Sequence, residues 1–234
     1  MDAHKLSQRL IRVANYVPQG ARLADIGSDH AYLPAYLALQ KQISFAIAGE
    51  VVKGPYENAR HEILQEGLQD LVEARLADGL AAINLDDEID TITICGMGGP
   101  LIANILEKGK DKLVNHPLLI LQPNVGSKDV RLWLQTNQYE LISEEILAED
   151  GHIYEILVAR FVLQRQELSA DELTFGPYLL KDKNAAFIVK WQKEREKLQK
   201  IIAQLQAAPK DYSVRIQELE QEMTKITEVI GTDD

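Results

Sequence analysis

A single cysteine, Cys95, occurs in the chain, so neither an intrachain disulfide framework nor a cysteine-rich zinc site can form. No metal ligand set is predicted. No stretch approaches the ~20 consecutive apolar residues that span a bilayer. The amino-terminal MDAHKLSQRLIRVANYVPQG spreads charges where a secretory signal would be apolar. Both absences predict a cytoplasmic protein. The glycine fingerprint G-x-G-x-x-G, which brings backbone against a pyrophosphate, is missing, which argues against a nicotinamide or flavin enzyme. Positive charge is scarce too: 25 Lys and Arg stand against 36 Asp and Glu, a net charge of −11. Taken alone, that balance argues against nucleic acid as a partner, because phosphate affinity comes largely from Lys and Arg.

What remains is an ordinary globular composition. The 234 residues, 46% of them hydrophobic, suit one domain with an appendage or a single large domain. Leu6, Leu10, Val13 and Ala14 give residues 4–16 a helical spacing. Strands and helices then alternate. Strands are expected over 22–26, 45–50, 72–77, 90–95 and 118–122. Helices are expected over 31–40, from about Pro55, briefly over 80–83, then over 100–106 and 128–136. The strand cores are β-branched or leucine-rich with little polar alternation, the mark of parallel strands covered on both faces.

The segment LISEEILAEDGHIYEILVARF breaks this rhythm with two strand-like runs around Glu149-Asp150-Gly151, an antiparallel hairpin. A mostly parallel sheet closed by one antiparallel edge pair resembles the Rossmann-like α/β sheet of class I S-adenosylmethionine-dependent methyltransferases. Beyond it, LTFGPYLLKDKN reads as a bridge. Phe187, Trp191, Leu198, Ile201, Ile202 and Leu205 then form one apolar stripe. Tyr212, Ile216, Leu219, Met223, Ile226 and Ile230 form a second, with Pro209 between them. Two such stripes predict an antiparallel helical hairpin packed as a coiled coil. The expected division is a methyltransferase-like domain over 1–163 and a helical coiled-coil domain over 164–234.

Ligands of doubly wound sheets bind beyond the carboxyl ends of the strands, so the residues there are the candidates. DIGSDH follows the first strand: Gly27 allows close backbone approach, while Asp25 and Asp29 place negative charge where a dinucleotide would need bare amides. Glu50 ends the second strand and suits the two hydroxyls of a ribose. Asp78 of ADGL can accept from an adenine amino group, with Gly79 and Leu80 beside the base. CGMGG ends the fourth strand, where Gly96, Gly98 and Gly99 admit a bulky ligand. An adenosine held by Glu50 and Asp78, without a phosphate cradle, points to S-adenosylmethionine, whose cationic groups Asp25 and Asp29 would attract. Each residue also has a plainer explanation. Asp29 suits a helix cap, Asp25 a buried hydrogen-bonded carboxyl, His30 a packed histidine and CGMGG a tight turn.

Basic charge is concentrated in the helical hairpin. Lys181, Lys183, Lys190, Lys193, Arg195, Lys197 and Lys200 stand against Asp182, Glu194 and Glu196, and the first helix adds Lys5, Arg9 and Arg12. Lys190, Lys193 and Lys197 are the candidates for RNA contact; a solvated helix face explains the same charges.

ADIGSDHAYLP, GEVVKGPYENAR, ADGL, CGMGG and LQPN together resemble the TrmK-type bacterial tRNA methyltransferases, over nearly the whole chain and including the carboxyl-terminal hairpin. The resemblance implies methylation of N1 of adenine 22 in tRNA from S-adenosylmethionine. It implies that Asp25, Gly27, Asp29 and His30 line the methionine side of the cofactor pocket. Glu50 would hold the ribose, Asp78 and Gly79 would face the adenine, and Gly96, Met97, Gly98 and Gly99 would border the transfer chamber. None of these motifs departs from the pattern of an active enzyme. Asp29, His30 and Asn124 are the candidates for positioning at the reaction centre, without a general base, and Tyr32 is a candidate for stacking on the base. No obligate protein partner is expected, and the protein should be a monomer or weak homodimer. A methyltransferase of a small molecule or protein, or a non-catalytic cofactor-binding adaptor, remains open on the residues alone.

Overall fold

In the computed structural model, which describes residues 2–231, the apolar runs become β1 (Ala21–Ile26), β2 (Ile43–Glu50), β3 (Val72–Leu76), β4 (Thr91–Gly98) and β5 (Leu118–Val125). The hairpin supplies β6 (Tyr139–Glu149) and β7 (His152–Phe161). One sheet results, in the order β3-β2-β1-β4-β5-β7-β6. β1 to β5 pair in parallel, and β7 runs antiparallel between β5 and β6. Strand order reverses between β1 and β4, so the loops after those two strands diverge and leave a crevice.

Helices cover both faces, which is why the strands carry so few polar residues. On one face α1 (Gln8–Tyr16), α2 (Tyr32–Leu39) and α3 (Lys53–Gln65) bury Leu10, Val13, Leu33, Leu37 and Ile63 against Leu23 and Ala46. On the other, α4 (Gly99–Lys108) and α5 (Ser127–Thr136) bury Ile102, Leu106, Val130 and Leu134 against Ile26, Ile92, Ile94 and Leu121. None of the described helices is long and apolar enough to cross a membrane.

Several boundaries differ from those expected. The first helix opens at Gln8, not at residue 4, because the Ser7 hydroxyl caps it by accepting from Leu10 N. The chain before it turns around the Asp2 carboxylate, which accepts from the amides of His4 and Lys5. The short helix after β3 is a single 3-10 turn over Gly79–Ala82. β4 and β5 run past Cys95 and Gln122, pairing Met97 with Pro123 and Gly98 with Val125 across two register irregularities. A bulge suits Gly96, at φ 77°, and tolerates a proline that has no N–H for the ladder. The expected hairpin closes at Asp150 and Gly151, both with positive φ, 50° and 78°, as a two-residue turn requires.

Part of the expected bridge is helical. α6 (Ala170–Phe175) opens on a reciprocal capping box between Ser169 and Glu172. α7 (Ala185–Gln206) and α8 (Ser213–Ile230) then bury Phe187, Trp191, Leu198, Ile202, Leu219 and Ile226 together with Phe175 and Ile146 of β6. Tyr212 stands outside that stripe, at the N-cap of α8. The hairpin is tied to the sheet by a buried ionic cluster. Arg131 of α5 donates to Glu144 of β6 (2.6 Å) and Glu155 of β7 (2.7 Å), and Lys190 of α7 donates to the other oxygen of Glu155.

Candidate active site

The turn after β1 is built around Asp25. Its side chain is 3% exposed, accepting from Thr93 Oγ1 at 2.6 Å and Ser28 Oγ at 2.5 Å. Burial pushes its pKa up, while the two hydroxyls and the charge of Arg9 pull it down. Gly27 follows at φ 70°, and a Cβ there would collide with the Met97 thioether methyl. Asp29, His30 and Ala31 then take three successive left-handed conformations, at φ 45°, 70° and 59°. Such geometry is costly for residues with a Cβ and clusters where function holds the backbone. Part of the restraint is Glu50 at the end of β2, whose Oε1 accepts from the Asp29 amide at 2.5 Å. Burial raises the Glu50 pKa, with that amide opposing.

Asp29 does not cap α2. The N-cap is Ala31, with no side-chain hydrogen bond, and the Asp29 carboxylate is exposed. His30 lines neither cavity; it stacks on Tyr32, with ring centroids 5.2 Å apart, and its Nε2 lies 3.6 Å from Asp29 Oδ1.

Two adjoining cavities lie over the reversal point, sharing Gly27 and Met97 as their common wall. The first, about 400 Å³, is lined by Asp78, Gly79, Leu80 and Leu101. The second, about 370 Å³, is lined by Arg9, Asp25, Ser28, Asp29, Gly96 and Asn124. Thus Asp25, Gly27, Asp29, Gly96, Met97 and Asn124 meet in one chamber, and Asp78 and Gly79 in the next. Glu50 and Gly98 line neither cavity: Glu50 braces the adjoining loop through the Asp29 amide, and Gly98 is the N-cap of α4.

Between β4 and β5 a closed set of amides fixes the chamber floor. Gly96 N donates to Gln122 Oε1 (3.0 Å), Gln122 Nε2 to Asn124 Oδ1 (3.2 Å), and Asn124 Nδ2 to Gly96 O (2.8 Å). Gln122 is fully buried and also accepts from Arg9 Nη1. Gln122, Ser28, Thr93 and Tyr154 were not among the residues expected from sequence, and Arg9 was noted only for its charge. A glutamine closing the apolar run LLILQ is the one signal that marked any of them.

The candidate RNA-contacting lysines lie apart from this crevice but not far from it. A groove of about 320 Å³ runs between the β5–α5 turn and α7, lined by Asn124, Lys128, Lys190, Trp191 and Lys197. Lys190 is committed to Glu155, and Lys197 pairs with Glu194 one turn away (2.9 Å). Lys193 is exposed.

A parallel sheet with this order, an antiparallel β7 inserted beside β5, and carboxylates after the first three strands define a class I S-adenosylmethionine-dependent methyltransferase. The particular family follows from comparison. The TrmK family model, described as tRNA (adenine(22)-N(1))-methyltransferase, matches residues 23–228, and the chain belongs to this family. A tRNA (adenine(22)-N(1))-methyltransferase of Bacillus subtilis is 47% identical, over 98% of this chain and 99% of its own. A Streptococcus pneumoniae protein solved in complex with S-adenosyl-L-methionine superposes with a TM-score of 0.89 at 46% identity, over 97% of this chain and all of the other. TrmK of M. capricolum, solved with S-adenosylhomocysteine, is 29% identical with a TM-score of 0.85, covering 97% and 98% of the two chains.

Proposed function

We infer that this protein methylates N1 of adenine 22 in tRNA, with S-adenosylmethionine as methyl donor. The observation that carries the reading is the paired cavity, walled by carboxylates at Asp25, Asp29 and Asp78 and offering no glycine cradle for a diphosphate. It has room for a nucleoside on one side of Met97 and for an amino acid and a target base on the other. S-adenosylmethionine supplies an electrophilic methyl group on a sulfonium. Adenine N1 attacks with an in-plane lone pair and has no proton to lose, so the site needs no general base.

The chain's own task is therefore orientation. Asp78 accepts from the adenine amino group beside Gly79, and Glu50 takes the ribose hydroxyls while bracing the Asp29 amide. Asp25 and Asp29 attract the cationic end, with His30 supporting the strained turn. Gly96, Met97 and Gly98 shape the chamber in which the target base, taken out of its stack, meets the methyl group. Asn124 holds the Gly96 carbonyl with one Nδ2 hydrogen and, exposed on the chamber wall, keeps the second for the target base. The positive charge that develops on the base is eased by the nearby carboxylates and carbonyl dipoles.

Residues 1–163 constitute the catalytic domain in this reading, and residues 164–234 a helical domain that aids tRNA docking. The groove beside α7 supports that division because it shares Asn124 with the reaction chamber. Lys128 and Lys197 present charge there, Lys193 adds an exposed charge on the same helix as Lys197, and Lys190 contributes mainly through Glu155. The protein works in the cytoplasm as a monomer or weak homodimer, with no obligate protein partner.

Labelled S-adenosylmethionine tests the reading. Label should pass to unmodified bulk tRNA at low salt. Transfer to proteins or small molecules, with tRNA left unlabelled, would contradict it.

A further inference from the structure

The reaction chamber and the groove beside α7 meet at the end of β5. Asn124 lines both, and Val125, the last residue of that strand, lines the groove. Val125 is 70% exposed, so burial does not account for a branched apolar side chain there. Its surroundings leave it isolated. Gly98 is its partner across the ladder and Gly126 its neighbour in the chain, and neither carries a side chain that could cover it. They also brace it. A Cβ on Gly99 would lie 1.9 Å from the Gly126 carbonyl oxygen, so the two backbones are in direct contact, and α5 opens at Ser127. A β-branched side chain is stiff at χ1, and here it stands on a backbone held from both sides. Val51 and Leu101 are exposed as well, but they line the nucleoside cavity.

An RNA strand that delivers one base to the chamber keeps its backbone outside. The groove offers Lys128 and Lys197 for phosphates, and Asn124 marks where a base leaves the strand for the chamber. Val125 stands at that junction. A base drawn out of its stack leaves a gap between its neighbours, and closing the gap reverses the extrusion. Proteins that part base steps insert an apolar side chain, whose contact with the base faces offsets some of the lost stacking. We propose that Val125 is such a wedge, filling the space that adenine 22 vacates and holding the flanking bases apart while N1 faces the methyl donor. The proposal rests on the tRNA methyltransferase reading. It separates extrusion of the base, which falls to Val125, from orientation of the base once inside, which falls to the chamber residues.

A tRNA carrying 2-aminopurine in place of adenine 22 reports extrusion, because that base brightens when it is unstacked. Wild type with S-adenosylhomocysteine should raise its emission. Val125→Ala should bind S-adenosylhomocysteine as wild type does, since Val125 lines neither cavity, which also verifies its fold. Its tRNA affinity should be nearly unchanged, because that comes from the lysines. The rise in emission should largely disappear, and single-turnover methylation of adenine 22 should slow roughly tenfold or more as part of the unstacking cost is no longer offset. Val125→Ile keeps the apolar bulk and should restore both. On a tRNA with abasic residues on either side of adenine 22, where there is no stack to break, Val125→Ala should match wild type. Normal emission and rate for Val125→Ala overturn the proposal and leave Val125 as plain surface. A deficit of equal size on the stacked and abasic substrates, or a loss confined to tRNA affinity, also overturns it. Absence of methyl transfer from wild type to the adenine-22 tRNA overturns the underlying tRNA reading as well.

Discussion

Asp78 and Gln122 illustrate the two ways a polar side chain serves this crevice. Asp78 is exposed on the wall of the nucleoside cavity, and among the described residues its carboxylate has no hydrogen-bond donor. Asp78→Ala should weaken S-adenosylhomocysteine about tenfold, ~1.4 kcal/mol, the worth of one such hydrogen bond, with the melting temperature unchanged; unaltered affinity in calorimetry would remove its assigned role. Gln122 is buried and satisfies Gly96, Asn124 and Arg9 at once. Gln122→Leu leaves those groups unpaired, so urea unfolding should show a loss of ~1–3 kcal/mol, accompanied by a fall in kcat. A variant as stable and as active as wild type would show that the amide ring is dispensable. DIGSDH and ADGL were legible because a carboxylate or glycine just after an apolar strand is conspicuous. Arg9 and Tyr154 were not, since they reach the chamber from α1 and from β7, whose patterns report only their apolar sides.

The joint between sheet and hairpin depends on Arg131, Glu144, Glu155 and Lys190. The paired cations hold Glu155 far below the ordinary carboxylate range, at about 2 instead of 4.5. A depressed carboxyl contributes stability that is complete above the unfolded value and lost as pH falls through the folded one. Glu155 therefore adds about 3 kcal/mol near neutrality, declining between roughly pH 4.5 and pH 2. Asp25 and Glu50 act in the opposite sense, because burial raises both. Glu155→Gln isolates the effect. It should cost about 3–5 kcal/mol at pH 7, and the gap to wild type in chemical unfolding should narrow steadily toward pH 2. A gap independent of pH would mean the cluster is not ionised as described. None of this joint was readable beforehand, for its members are separated in the chain and each looks like a solvated charge. The strands were readable, yet β4 and β5 were cut short, because glycine and proline usually end a strand and here sit in a bulge instead.

The whole molecule is acidic and must still receive a polyanion. With a net charge of −11, tRNA affinity has to come from local clusters, and of the three α7 lysines expected to contact RNA, Lys190 and Lys197 are paired with glutamates while Lys193 is exposed. Lys193→Glu combined with Lys197→Glu should weaken tRNA binding and lower the slope of log affinity against log salt by one to two counterions, ~0.9 per phosphate contact; an unchanged slope would leave the hairpin as a brace alone. Strand order and the seating of the hairpin lay beyond the sequence pattern, since periodicity reports what an element buries and not which neighbour buries it. The central claim is that this crevice brings N1 of one particular adenine to a methyl donor. Single-turnover methylation of a tRNA and of its A22→G variant, followed by nucleoside mapping, tests that claim. The account predicts 1-methyladenosine at position 22 of the first and no methyl transfer to the second; equal methylation of both, or a methyl group mapped to another atom or position, would contradict it.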